Sequence, residues 1–89
     1  MAYMNNAKIV VDFKEGQKLL DQATAKDTAQ EYAEAKQLYL QSKERFGNIV
    51  ALPKIPPNFP AHLKSSCETY ISQIDNRIRQ IDDLYNPEQ

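Results

Sequence analysis

The chain has 89 residues, with 11 Lys and Arg against 12 Asp and Glu, and a formal net charge of −1. That length makes one small domain, able to bury only about 60–65% of its extended surface. The near balance of charge excludes bulk nucleic-acid binding, which requires a basic field.

The amino-terminal stretch MAYMNNAKIVVDFKEG carries Lys8 and Asp12 early and has no long apolar run, so it does not read as a signal peptide. Nowhere are there the roughly 18 consecutive apolar residues of a membrane span. A first helix is predicted from about Asn6 to Lys26. At 100° per residue, Ile9, Phe13, Gly16, Leu19, Leu20 and Ala23 fall on one face. Val10 and Val11 lie off it and either widen the stripe or touch something else. Gly16 is on the buried face, where a missing side chain admits a neighbouring helix at a propensity cost of about 1 kcal/mol.

Asp27-Thr28-Ala29-Gln30-Glu31 ends that helix and starts the next. Thr28 followed by Glu31 reads as a capping box, with Asp27 adding negative charge at the positive end of the new helix. The second helix is predicted from 28 to about 51. Tyr32, Ala35, Leu38, Tyr39, Ser42, Phe46, Ile49 and Val50 make its apolar side. Glu34, Gln37, Gln41, Glu44, Arg45 and Asn48 make the solvated side, with Leu40 and Ala33 outside the core stripe.

Four of the five prolines fall between residues 53 and 60, with one more at Pro87. Proline removes a donor and pushes its predecessor out of the helical region, so this segment is a stiff loop. Pro60 suits the first turn of a third helix running to about Tyr85. Its apolar arc takes in Leu63, Cys67, Tyr70, Ile71, Ile74, Ile78, Ile81, Leu84 and Tyr85, and spans about 140°, wide enough for two neighbours. Short connections between long helices imply antiparallel packing. The expected fold is therefore all-α, a single-domain antiparallel up-down-up three-helix bundle over residues 1–89, with helices at about 6–26, 28–51 and 60–85.

No catalytic constellation is present. His62 is a lone histidine in the first turn of helix 3. Cys67 sits on an apolar face, where a cysteine behaves as a small hydrophobe. A single cysteine makes no internal disulfide, and without a Cys/His cluster there is no structural zinc site. A reduced intracellular compartment is expected. Asp82 and Asp83 are adjacent on a helix and point about 100° apart, as solvated charges do. No metal or cofactor is expected. Ile71, Ile74 and Ile78 read most simply as core. Alternatively, Ile71 lines a groove between helices 2 and 3 that receives an amphipathic helix. Asp75, one turn later, is then either a solvent-exposed acid or a partner for a ligand arginine.

The segment from Gly16 to Gln80 resembles the MIT (microtubule-interacting and trafficking) domain, most closely as it occurs in ESCRT-III-disassembling AAA ATPases of vacuolar protein sorting. The residues that carry the likeness are Ala23 with Asp27, Tyr32-Ala33-Glu34-Ala35, Leu38-Tyr39, and Cys67-Glu68-Thr69-Tyr70-Ile71. No single motif is specific, since alanine-rich hairpins also occur in tetratricopeptide repeats; the joint spacing over three helices is more so. The resemblance implies a protein-interaction module whose partners are carboxy-terminal tail peptides of ESCRT-III-type proteins. A helical tail would dock between helices 2 and 3, against Leu40, Ile71, Ile74 and Asp75. An extended proline-containing tail would dock between helices 1 and 3, against Leu20 and Thr24. A parent protein, such as an AAA ATPase, would be recruited from the cytoplasm to endosomal membranes, and the isolated domain would be a monomer that neither binds nucleic acid nor inserts in a membrane. Three positions depart from the family pattern: Lys36 replaces a leucine, Ile74 replaces an alanine and would narrow the helix 2/3 groove, and the 53–60 loop is proline-rich. The competing readings are a self-contained helical structural or oligomerisation protein and, more remotely, a fragment of a helical enzyme.

Overall fold

A computed structural model describes residues 6–85, apart from the Tyr85 side chain. The last residues, 86–89, lie outside this range, as does any core role for the Tyr85 ring. Three helices make up the described chain: α1 (Asn6–Thr28), α2 (Tyr32–Val50) and α3 (Leu63–Tyr85), with no strand among the described residues. They form an elongated bundle of about 50 × 20 × 20 Å.

Helix α1 runs further than expected, and the Thr28–Glu31 capping box does not form. The Gln30 N–H donates to the Asp27 carbonyl at 2.9 Å and the Glu31 N–H donates to the Lys26 carbonyl at 2.9 Å. Gln30 takes a φ of 63°. These are the two backbone bonds and the left-handed residue of a Schellman end, so backbone, and not Thr28, closes the first helix. Lys26 Nζ reinforces the turn by reaching Glu31 Oε1 at 3.0 Å. Glu31 stands at the N-cap of α2 but makes no side-chain cap bond.

Helix α3 also starts later than Pro60. Residues 60–62 form a turn closed by the Leu63 N–H on the Pro60 carbonyl at 3.1 Å. The first full helical bond runs from the Ser66 N–H to the His62 carbonyl, so proline precedes the helix instead of opening it. Lys64 Nζ ties the loop back by donating to the Leu52 carbonyl at 2.9 Å.

The predicted phases hold. Ile9, Leu19 and Ala23 of α1, Ala35, Tyr39, Phe46 and Ile49 of α2, and Leu63, Cys67, Ile74 and Ile81 of α3 are buried. At the centre Phe46 stacks on Tyr70 (4.8 Å between centroids, 18° between planes) and meets Phe13 edge-on at 6.0 Å. Gly16 lies directly against this cluster: a Cβ built on it would stand 2.8 Å from Phe46 Cε1. The same close approach lets Ser42 Oγ donate to the Gly16 carbonyl at 2.6 Å.

Two assignments change. Asp12 is fully buried in the α1/α2 seam, where Lys8 Nζ reaches it at 3.3 Å and Arg45 Nη1 at 3.1 Å. Arg45 therefore belongs to that seam and not to the solvated side of α2; a buried carboxylate requires such partners. Leu84, expected in the apolar arc, is 65% exposed.

Candidate functional site

The two grooves of α3 differ in construction. Helix α2 stands between the other two helices and packs against both, whereas no Cα of α1 comes within 8 Å of one in α3 among the described residues. The α2/α3 side is thus a closed seam and the α1/α3 side an open cleft.

The α2/α3 seam is crossed by two ion pairs, Lys43 Nζ to Asp75 Oδ1 and Lys36 Nζ to Asp82 Oδ1, each at 2.7 Å. Their antiparallel register places Leu40 opposite Ile78 and Gly47 opposite Ile71. Leu40 is 42% exposed, and Ile71 and Ile78 are partly buried against the core. Nothing lies within 4 Å of a Cβ added to Gly47, so the surface above Ile71 is open. The seam therefore holds three of the four residues expected there: Leu40, Ile71 and Asp75. Two expectations are corrected. The Asp75 side chain is 44% exposed, but it is not free for a ligand arginine, because Lys43 already pairs with it. Ile74 does not narrow this groove: it is 1% exposed, turned into the core, and reached from the α1/α3 side. Lys36, the departure from the family pattern, supplies one of the two bridging cations.

Described residues line two chambers along the α1/α3 cleft. The upper one, of about 290 Å³, is walled by Ile9, Val10 and Phe13 of α1 and by Phe59 and Leu63, with Lys14, His62 and Ser66 also lining it. Val10, which the helical stripe left unexplained, is thus a cleft wall, and Phe59 and Pro60 make the proline-rich loop its end wall. The lower chamber, of about 320 Å³, is lined by Leu20, Asp21 and Thr24 of α1, Tyr39 of α2, and Gln73, Ile74 and Arg77 of α3. Both residues expected in this groove, Leu20 and Thr24, are there. Thr24 Oγ1 donates back to the Leu20 carbonyl at 2.9 Å. Between the chambers the Phe13 and Tyr70 rings approach across the cleft, 6.4 Å between centroids.

A charged clamp closes the lower end. Arg77 donates through Nε and Nη2 to both Asp27 oxygens at 2.6 and 2.7 Å, and Tyr39 Oη donates to Asp27 Oδ2 at 2.8 Å. The fork from Arg77 holds the Asp27 carboxyl below the usual range, with Tyr39 adding to the effect. Burial, and then the neighbouring carboxylate, push the Tyr39 phenol up. The Arg77 guanidinium is itself raised by Asp27. Sequence reading placed Asp27 at the start of α2; only the fold reveals its partner 50 residues away.

Residues weighed for chemistry fall apart. Cys67 is fully buried, and burial pushes its thiol up to about 11. His62 is exposed at the mouth of the upper chamber. No group of three or more His, Cys, Asp or Glu among the described residues is placed to hold a metal ion. No described helix is long and apolar enough to cross a membrane. No family model, curated protein or solved structure matches the chain.

Proposed function

We propose that this chain is a peptide-docking module, and that it takes an extended segment along the α1/α3 cleft. The observation that carries this reading is the open cleft itself, with Leu20 and Thr24 in its wall and apolar surface at its upper end. Extended peptides bind by seating alternate side chains in successive pockets, and two chambers in line suit that mode. The α2/α3 seam is a poorer receptor, since a helical ligand there must displace the Lys43–Asp75 and Lys36–Asp82 pairs.

The resemblance to MIT domains supplies the ligand class: carboxy-terminal tails of ESCRT-III-type proteins, in their extended, proline-containing form. Docking would recruit a parent protein, such as an AAA ATPase, to endosomal or other remodelling membranes. Affinity would be weak to moderate, because a disordered tail must order on binding. An NMR titration of the chain with a panel of such tails tests this. The expected shifts lie on the cleft faces of α1 and α3, around Leu20, Thr24 and Ile74. Shifts confined to Leu40 and Ile71, or none with any tail, would overturn it. A stable oligomer in sedimentation with the cleft covered would favour a structural protein instead.

A further inference from the structure

Resting on the docking reading above, we infer that the α1/α3 cleft reads charge order: its ligand is an extended segment with an acidic residue beside its apolar anchor and a basic residue about three positions further along. Lys14 lines the upper chamber and Asp21 the lower, and both are exposed on the same rim of α1. Neither makes an ion pair among the described residues. The third charged group of the cleft, Arg77, is spent on Asp27 and Gln80. The cleft therefore offers a free cation at its apolar end and a free anion at its polar end.

The spacing fixes the ligand's pattern. Seven residues of helix separate Lys14 from Asp21, about 10 Å of rise. An extended chain covers that distance in about three residues at ~3.3 Å each. The wall of Ile9, Phe13 and Leu63 beside Lys14 calls for an apolar side chain adjacent to the acid. The Phe13–Tyr70 pair, backed by Phe46, stands between the chambers, so the residues between the two charges must cross it. Charge pairs of this exposed kind add little to affinity singly, but they set register and direction.

The test uses three fluorescein-labelled ten-residue peptides, measured by anisotropy. All carry the same leucine and proline. One has aspartate next to the leucine and lysine three positions on, one exchanges those charges, and one has glutamine at both; each is made in both chain directions. The matched peptide should bind about tenfold tighter than the inverted one, as two exposed pairs allow. The order should reverse for Lys14→Glu/Asp21→Lys, while the glutamine peptide binds both proteins alike. Should that variant fail to fold by circular dichroism, Lys14→Gln/Asp21→Asn serves, and it should bind the matched and inverted peptides equally. Matched and inverted peptides binding the native chain within twofold of each other, while the glutamine peptide binds, would overturn charge reading and leave docking intact. A preference that survives the charge exchange would overturn it too. No binding of any peptide, together with no response to ESCRT-III-type tails, would remove both.

Discussion

Gly16→Ala should destabilise this protein, although the same change in an ordinary helix interior stabilises. Helix propensity favours alanine by about 1 kcal/mol. Against that, the new methyl would stand 2.8, 2.9 and 3.0 Å from three atoms of the Phe46 ring. The ring cannot step aside, because it is fully buried, stacked on Tyr70 and edged by Phe13. Forcing a methylene into such a core costs about 1–3 kcal/mol. Spreading α1 from α2 also lengthens the Ser42–Gly16 hydrogen bond, of the kind that contributes about 0.5–1.5 kcal/mol. The net expectation is a loss of about 1–3 kcal/mol, or a Tm lower by roughly 4–8 °C per kcal/mol in a domain this small. Urea unfolding followed by circular dichroism measures it, with the slope unchanged. The same substitution made on Phe46→Leu should cost less or turn favourable, since the shorter side chain vacates the ring edge. A neutral or stabilising effect in the native background would refute the argument. So would equal effects in both backgrounds, since the two sites would then be uncoupled.

Phe46→Ala should cost about 3–5 kcal/mol by denaturant titration, and a change under about 1 would mean the ring is not the centre of the core. Acid should weaken the fold through Asp27. Its carboxyl titrates lower when folded than its unfolded value of about 3.9, so its contribution is complete above that value and lost as pH falls through the folded one. Asp27→Asn should flatten the fall of Tm below about pH 4, and an unchanged acid limb would show that other carboxylates govern it. The Cys67 thiol, buried and raised to about 11, should resist iodoacetamide at pH 8 in the folded chain and react once urea unfolds it. Leu20→Asp should weaken extended proline-containing tails selectively in anisotropy titrations. Global unfolding would assign Leu20 to the core alone.

The helical phases were legible because each helix turns an apolar side to the core, and a 3.6-residue period records it directly. The pattern alone puts Gly16 on the buried face of α1, and Ser42 and Phe46 on the apolar side of α2. What escaped were pairings between elements. Asp12 and Arg45 look solvated in their own helices, yet each neutralises the other across 33 positions. Asp27 looked like an N-terminal charge because no periodic signal marks Arg77 as its partner. Thr28-x-x-Glu31 carried a capping-box pattern, but the Schellman end satisfied the Glu31 N–H first. The groove residues divided similarly. Leu20 and Thr24 follow from α1's own phase. Ile74 sits at the boundary between two faces of a wide arc, and only the observed packing decides which groove it borders.

The two lysine–aspartate bridges of the α2/α3 seam are spaced seven residues apart on each helix, with the Leu40–Ile78 level between them. That alternation works as a vernier. Slide α3 by three or four residues in one direction and Leu40 meets Asp75, or Lys36 and Lys43 meet Ile78 and Ile71. Slide it in the other and Lys43 meets Ile78 or Arg79. Every one-turn slip separates both salt bridges at once and sets a charge against an aliphatic chain or a like charge. Surface pairs of this sort add little to the depth of the native well. Here they raise the neighbouring wells instead, which is how a chain with so small a core holds one alignment of its third helix against the next.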